Sequence, residues 1–221
     1  MLSKLDANFL ARMEIILDLY EQPYDPKFPV VCFDELPGQL LADVVAEQPA
    51  EPGRPRRFDY EYERGGTYNA FMMVEPKGGW RHIEVTERRT SVDFATQLRF
   101  LAEDVYPEAQ RIKLVLDNLS THKLEALWKV YEPARALAIS RCFEFIFTPT
   151  HASWLNAAEI ELAALTKQCL GSHRLKTLDA VRAQIEPWQA TRNELGIGIN
   201  WSMNPEKSRE KFDRHYDREL F

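Results

Sequence analysis

Residues 111–118, RIKLVLDN, limit what this chain can become more than any other stretch. Ile112, Leu114 and Leu116 alternate with Lys113, Val115 and Asp117, the period-2 pattern of a strand. The run then stops on a carboxylate, a residue type depleted in strands. An Asx-type turn accounts for one such ending. A second ending of the same shape calls for another reason: residues 30–35, VVCFDE, are also a short apolar run closing on acid. Two strand-end aspartates direct attention to a third carboxylate, and Glu159 is the candidate.

The segments around these strands define a layered domain. Leu5, Phe9, Met13, Ile16, Leu17 and Tyr20 recur at helical spacing and predict a helix over 2–20. The prolines of 22–29 end it. Residues 1–28 therefore read as an N-terminal helix and Pro-rich linker, 29–200 as the main domain, and 201–221 as a polar, loosely attached tail. A first strand ends at Asp34. Residues 36–67 show no sustained period and carry Pro37-Gly38, Pro49, Pro52-Gly53, Pro55 and Gly65-Gly66. They read as a loop insertion with a short helix near 38–46, and long loops in compact domains are often functional. Strands at 67–74 and 80–85 flank a hairpin turn. Helices follow at 91–106, 123–131, 135–141, from Asn156, and at 178–194, with strands at 111–117 and 143–147 between them. This order predicts an α/β fold: a mixed sheet flanked by helices.

A formal net charge of −6 speaks against a dedicated nucleic-acid binder, whose domain is usually basic. Local basic clusters remain, with Arg54, Arg56 and Arg57 the densest. The EPGRPRR segment reads equally as a semi-rigid arm along phosphates or as a surface insertion. No apolar run is long enough to span a membrane. Three well-separated cysteines in apolar surroundings read as reduced core thiols, which suits a cytoplasmic protein.

In open α/β sheets, function gathers at the carboxyl ends of neighbouring strands. Asp34 and Asp117 meet there if their strands are adjacent and parallel. A third acid from a nearby helix would complete a cage for Mg2+, which takes hard oxygen ligands. Two such ions about 3.5–4 Å apart can activate a water or a 3′-hydroxyl at a phosphodiester. Glu159 and Glu161 lie two residues apart and point to different sides of one helix. Glu159 shares a face with Leu162, Ala163 and Thr166, taken as the inward side. Asn156 and Glu159 also fit a capping box, so the pattern leaves a cap and a ligand both open.

CFDE, LVLDNLSTH and THASWLNAAEIE, in that order, resemble the DDE transposases of bacterial insertion sequences, nearest the insertion-sequence-630 group of the mariner-like superfamily. The resemblance runs from about Tyr20 to Trp201. It implies a ribonuclease H-like catalytic domain that cuts DNA at transposon ends and joins the 3′-ends to target DNA. It also implies a metal triad of Asp34, Asp117 and Glu159, two Mg2+ ions with Mn2+ as substitute, and action as a homodimer on paired ends in the bacterial nucleoid. Asn118, His122, His151, Trp154 and Asn156 are candidates for supporting the acids or touching DNA, as are Arg54, Arg56 and Arg57. Asp34 lies too near Met1 for the helix-turn-helix modules that recognise ends in this family. That leaves two rival readings: a catalytically silent remnant that still binds DNA, or a stand-alone nuclease on the same fold.

Overall fold

The computed structural model describes residues 6–44, 52–54, 61–171 and 173–219. Five strands form one sheet in the order β3-β2-β1-β4-β5. They are β1 (Val30–Asp43), β2 (Tyr62–Glu75), β3 (Trp80–Thr86), β4 (Ile112–Leu116) and β5 (Phe143–Phe147). β1, β2 and β3 are an antiparallel meander, while β1–β4 and β4–β5 are parallel. Among the described residues no helix is long and apolar enough to cross a membrane.

Alternation along the strands sends side chains to two cores. Cys32, Met72, Val74 and Val115 pack beneath α1 (Ala7–Glu21), α5 (Ala157–Leu165) and α6 (Leu178–Glu194). Phe33, Phe71, Met73, Leu114 and Leu116 pack on the other face under α2 (Ser91–Arg99) and, further along, α3 (Leu127–Val130) and α4 (Pro133–Arg141). The helices begin where short polar side chains satisfy free N–H groups. Asp6 accepts from the Phe9 N–H (2.7 Å), and Thr90 and Asp93 form a reciprocal capping box. A π-helical turn, Phe100–Val105, prolongs α2.

Two sequence expectations are corrected by the fold. The expected loop over 36–67, with its helix near 38–46, is a strand hairpin at both ends: β1 continues to Asp43 and β2 starts at Tyr62. Residues 45–51 and 55–60 lie outside the described residues. Pro37-Gly38 looks like a turn, but both residues are paired to β2, Gly38 opposite Tyr68. A Cβ on Gly38 would stand 2.2 Å from the Tyr68 ring, so glycine makes room for the aromatic ring lying across the strand. Pro37 falls beyond the last β1–β4 pair, Cys32–Val115, where one edge of β1 needs no donor.

The expected polar tail is α7 (Pro205–Glu219), and it is docked rather than loose. Trp201 meets the Tyr20 ring at 5.0 Å, Asn204 donates to Glu21 (2.9 Å), Arg209 forks onto Glu14, and Ser208 is buried. Its apolar contacts are few, so composition alone conceals them.

Candidate active site

The parallel β1–β4 register ends at Cys32–Val115. Two residues further on, Asp34 and Asp117 stand across from each other. Both keep the parity of Cys32 and Val115 and so face the side covered by α5. The site thus sits where β1 and β4 diverge, at the carboxyl end of β4.

Asp34 is half-buried. Its Oδ1 accepts the Glu35 N–H (2.8 Å), and its Oδ2 lies 3.4 Å from Asn156 Nδ2. Asn156 is 1% exposed and donates to the Phe33 carbonyl (2.8 Å), which ties the start of α5 to β1. Burial pushes the Asp34 carboxyl up to about 7, helped by the negative charges of Glu159, Glu35 and Asp117 and opposed by the Glu35 N–H.

Asp117 Oδ1 accepts from the Leu119 N–H (3.3 Å) and faces His122 Nδ1 (2.7 Å). Burial acts to raise this carboxyl, but His122 outweighs it and leaves the group below its ordinary value. On the far side of the imidazole, Nε2 is 2.6 Å from Glu35 Oε1. Burial would lower the histidine, yet the two carboxylates hold it up at about 9. His122 is 1% exposed, so it touches these acids and not solvent.

α5 presents its two glutamates in the opposite sense to the inward side expected for Glu159. Glu159 is exposed, as are Ala163 and Thr166, whereas Glu161 is 1% exposed. The buried row is Ala157, Ala158, Glu161, Leu162 and Leu165. Glu161 is neutralised by Arg81 Nε (2.6 Å) and by a two-pronged contact from Arg192 (2.7 and 3.0 Å). The Arg81 Nε contact is out of line for a hydrogen bond and counts as an ion pair only. Glu161 therefore has no charge left to offer a ligand. The capping box forms only by half. Asn156 Oδ1 accepts from the Ala158 N–H (3.2 Å), but its own N–H is taken by the Ser153 carbonyl (2.7 Å). Glu159 is left facing out at the first turn of α5.

The remaining candidates scatter. Asn118 is exposed and its side chain makes no hydrogen bond among the described residues. His151 is exposed and takes a left-handed backbone, φ 63°, in the loop before α5, and Trp154 is 41% exposed beside it. Arg54 is exposed, and Arg56 and Arg57 lie outside the described residues. Glu35, Arg81 and Arg192 escaped the sequence reading. For Glu35 a signal existed, since it follows Asp34 and must face the opposite side of β1.

Among the described residues, no three His, Cys, Asp or Glu side chains stand close enough together to hold a metal ion as they lie. The donor chemistry nonetheless fits a hard divalent cation. Asp34, Asp117 and Glu159 offer only oxygens. The raised Asp34 carboxyl records their mutual repulsion, and no lysine or arginine among the described residues is paired with Asp34 or Glu159.

Known proteins agree with this architecture. No characterised protein sequence matches the chain significantly. Several solved structures share its fold. The Mos1 mariner paired end complex with Mn is 16% identical, with a TM-score of 0.57 over 98% of this chain and 64% of that one. The paired end complex with Mg is 18% identical, TM-score 0.57, covering 97% and 64%. A pre-cleavage Mos1 transpososome is 17% identical, TM-score 0.58, covering 93% and 61%. The chain thus spans under two thirds of the length of these proteins, and its sheet is the ribonuclease H-like fold of the Mos1 catalytic domain. The family described as DDE superfamily endonuclease matches residues 29–182, a span that holds Asp34, Asp117 and Glu159. This chain belongs to the DDE superfamily endonuclease family.

Proposed function

We propose that the chain is the catalytic domain of a DDE transposase of the insertion-sequence-630 group, which cuts DNA at transposon ends and transfers the freed 3′-ends to target DNA. The observation that carries the reading is the parity of Asp34 and Asp117 on neighbouring parallel strands, with Glu159 close enough for its charge to act on Asp34. Asp34, Asp117 and Glu159 would hold the divalent ions. When bound, Mg2+ or Mn2+ would activate a water or a 3′-hydroxyl and stabilise the leaving oxygen of the phosphodiester. The Mos1 complexes with Mn and with Mg support that choice of ion.

The chain's own residues supply binding and orientation. Asn156 fastens α5 to β1 and so sets Glu159 relative to Asp34. His122 orients Asp117. Trp154 and His151 flank the start of α5 from an exposed loop, where a ring can stack on an unpaired base and an imidazole can reach a phosphate. A dimer on paired DNA ends follows from the Mos1 paired-end complexes.

The test pairs calorimetric Mn2+ titration with incubation on supercoiled plasmid and a labelled 3′-hydroxyl oligonucleotide. Wild type is expected to bind Mn2+, nick the plasmid and join the label. Asp34→Asn and Asp117→Asn, folded by circular dichroism, are expected to do none of these. Nicking without joining would make the protein a nuclease. No binding and no nicking by wild type would refute the reading.

A further inference from the structure

His122 occupies a position that metal-dependent phosphodiester chemistry does not itself require a histidine to fill. Its ring lies edge-on to Phe33 (centroids 5.4 Å apart, 89°) and tilted over Phe94 (4.8 Å, 34°). These aromatics hold the imidazole plane, and its two nitrogens then point along one line between two acids. Nδ1 meets Asp117 Oδ1 at 2.7 Å and Nε2 meets Glu35 Oε1 at 2.6 Å, the lengths of charge-assisted bonds. The two acids come from opposite faces of the sheet. Asp117 follows the α5 side, and Glu35, whose side chain is 3% exposed, follows the α2 side with Phe33. A turn after β4 could be closed by the Leu119 N–H alone. Burying a histidine and a second carboxylate to reach the same oxygen is costly unless the arrangement serves the carboxylate it grips.

The grip is one-sided. Asp117 Oδ1 has both the imidazole and the Leu119 N–H, while Oδ2 has no donor among the described residues. A carboxylate held this way offers a single oxygen. Mg2+ demands near-octahedral geometry and takes one oxygen per carboxylate, whereas Ca2+ is larger, accepts six to eight ligands and readily takes both oxygens.

We propose that Glu35 and His122 are positioning residues that confine Asp117 to one-oxygen ligation through Oδ2 and thereby make the site prefer Mg2+ and Mn2+ to Ca2+. This rests on Asp117 being a metal ligand, as proposed above. It deepens that reading by assigning ion selectivity to a pair that touches no ion.

The test is calorimetric titration of MgCl2, MnCl2 and CaCl2 into the whole chain. The double variant Glu35→Met/His122→Phe removes both bonds, fills the same space and leaves no unpaired buried charge. Its Mg2+ affinity is expected to fall about 10–100-fold, the usual effect of losing a partner behind a ligand. Its Ca2+ affinity is expected to change by less than about threefold, so the Mg2+ to Ca2+ ratio collapses. His122→Asn returns one N–H to the place of Nδ1 and cannot reach Glu35. It is expected to keep the ratio within about threefold of wild type, a rescue that general loosening of the loop would not produce. Glu35→Gln, which preserves shape, covers the case of a misfolded double variant and is expected to lower the ratio about threefold or more. An unchanged ratio in a folded double variant, or in Glu35→Gln, would overturn the proposal. So would His122→Asn losing selectivity as fully as the double variant. Wild type binding Ca2+ as tightly as Mg2+ would overturn it alone, whereas wild type binding none of the three ions would overturn the metal-site reading with it.

Discussion

Glu159 and Glu161 lie two residues apart on α5 and meet opposite surroundings, so replacing each with glutamine separates a structural acid from a site acid. Glu161→Gln keeps the volume but removes the charge facing two guanidiniums. Arg81 is fully buried and Arg192 is 15% exposed. Arg81 still bonds Asn193 Oδ1 (3.3 Å) and the Ile197 carbonyl, but neither carries a compensating charge. Burial already lowers the pKa of Arg81, and Glu161 is the group that opposes this. Breaking a buried ion pair from one side costs about 3–5 kcal/mol. In a chain of this size each kcal/mol moves Tm by about 2–4 °C, so Tm should fall by about 6–20 °C. Glu159→Gln touches an exposed carboxylate whose charge only repels Asp34. Its stability should stay within about 0.5 kcal/mol of wild type, on the stabilising side. The assay is thermal and urea unfolding followed by circular dichroism, with Mn2+ titration beside it. Glu159→Gln should lose Mn2+ binding at unchanged Tm, and Glu161→Gln should lose stability first. Equal Tm losses, or a Glu161→Gln variant as stable as wild type, would refute the assignment of the two roles.

Other perturbations follow from the same contacts. Burial raises Glu75 to about 7, with Tyr106 opposing. A folded carboxyl above its unfolded value contributes stability in full below about pH 4.5 and loses it as pH rises towards 7. Urea unfolding should therefore weaken across that window by about 2–3 kcal/mol, and Glu75→Gln should flatten the profile; an unchanged slope in the variant would exclude Glu75 as its source. Gly38→Ala sets a methyl against the Tyr68 ring and should cost about 1–3 kcal/mol, most of it recovered in a Tyr68→Ala background; additive losses in a double-mutant cycle would contradict that clash. Trp154→Ala should leave Tm within about 1 °C while weakening single-stranded DNA binding by about 1–3 kcal/mol in fluorescence anisotropy; unaltered affinity would remove Trp154 from the DNA surface.

What could be read from the sequence, and what could not, divides along the range of the forces involved. Period-2 alternation is local, and it located all five strands and put Asp34 and Asp117 on comparable strand positions. Local signals misread β1 beyond Asp34, because Pro37-Gly38 has turn chemistry and only the Tyr68 ring, brought by β2, turns that glycine into a strand residue. They misread the inward face of α5, because Glu161 is buried only by virtue of Arg81 on β3 and Arg192 on α6. They misread the tail, whose helix is secured by Tyr20, Glu21 and Glu14 near the other end of the chain. The acid pair at 34 and 35 combines both kinds of information. Alternation alone sends Asp34 to the α5 side and Glu35 to the α2 side. Only the fold brings His122 back from the loop after β4 to join Glu35 to Asp117. One step along a strand therefore separates a carboxylate that faces the substrate side from a carboxylate that holds its partner in place, and a reading that stops at the first acid misses the device that orients the site.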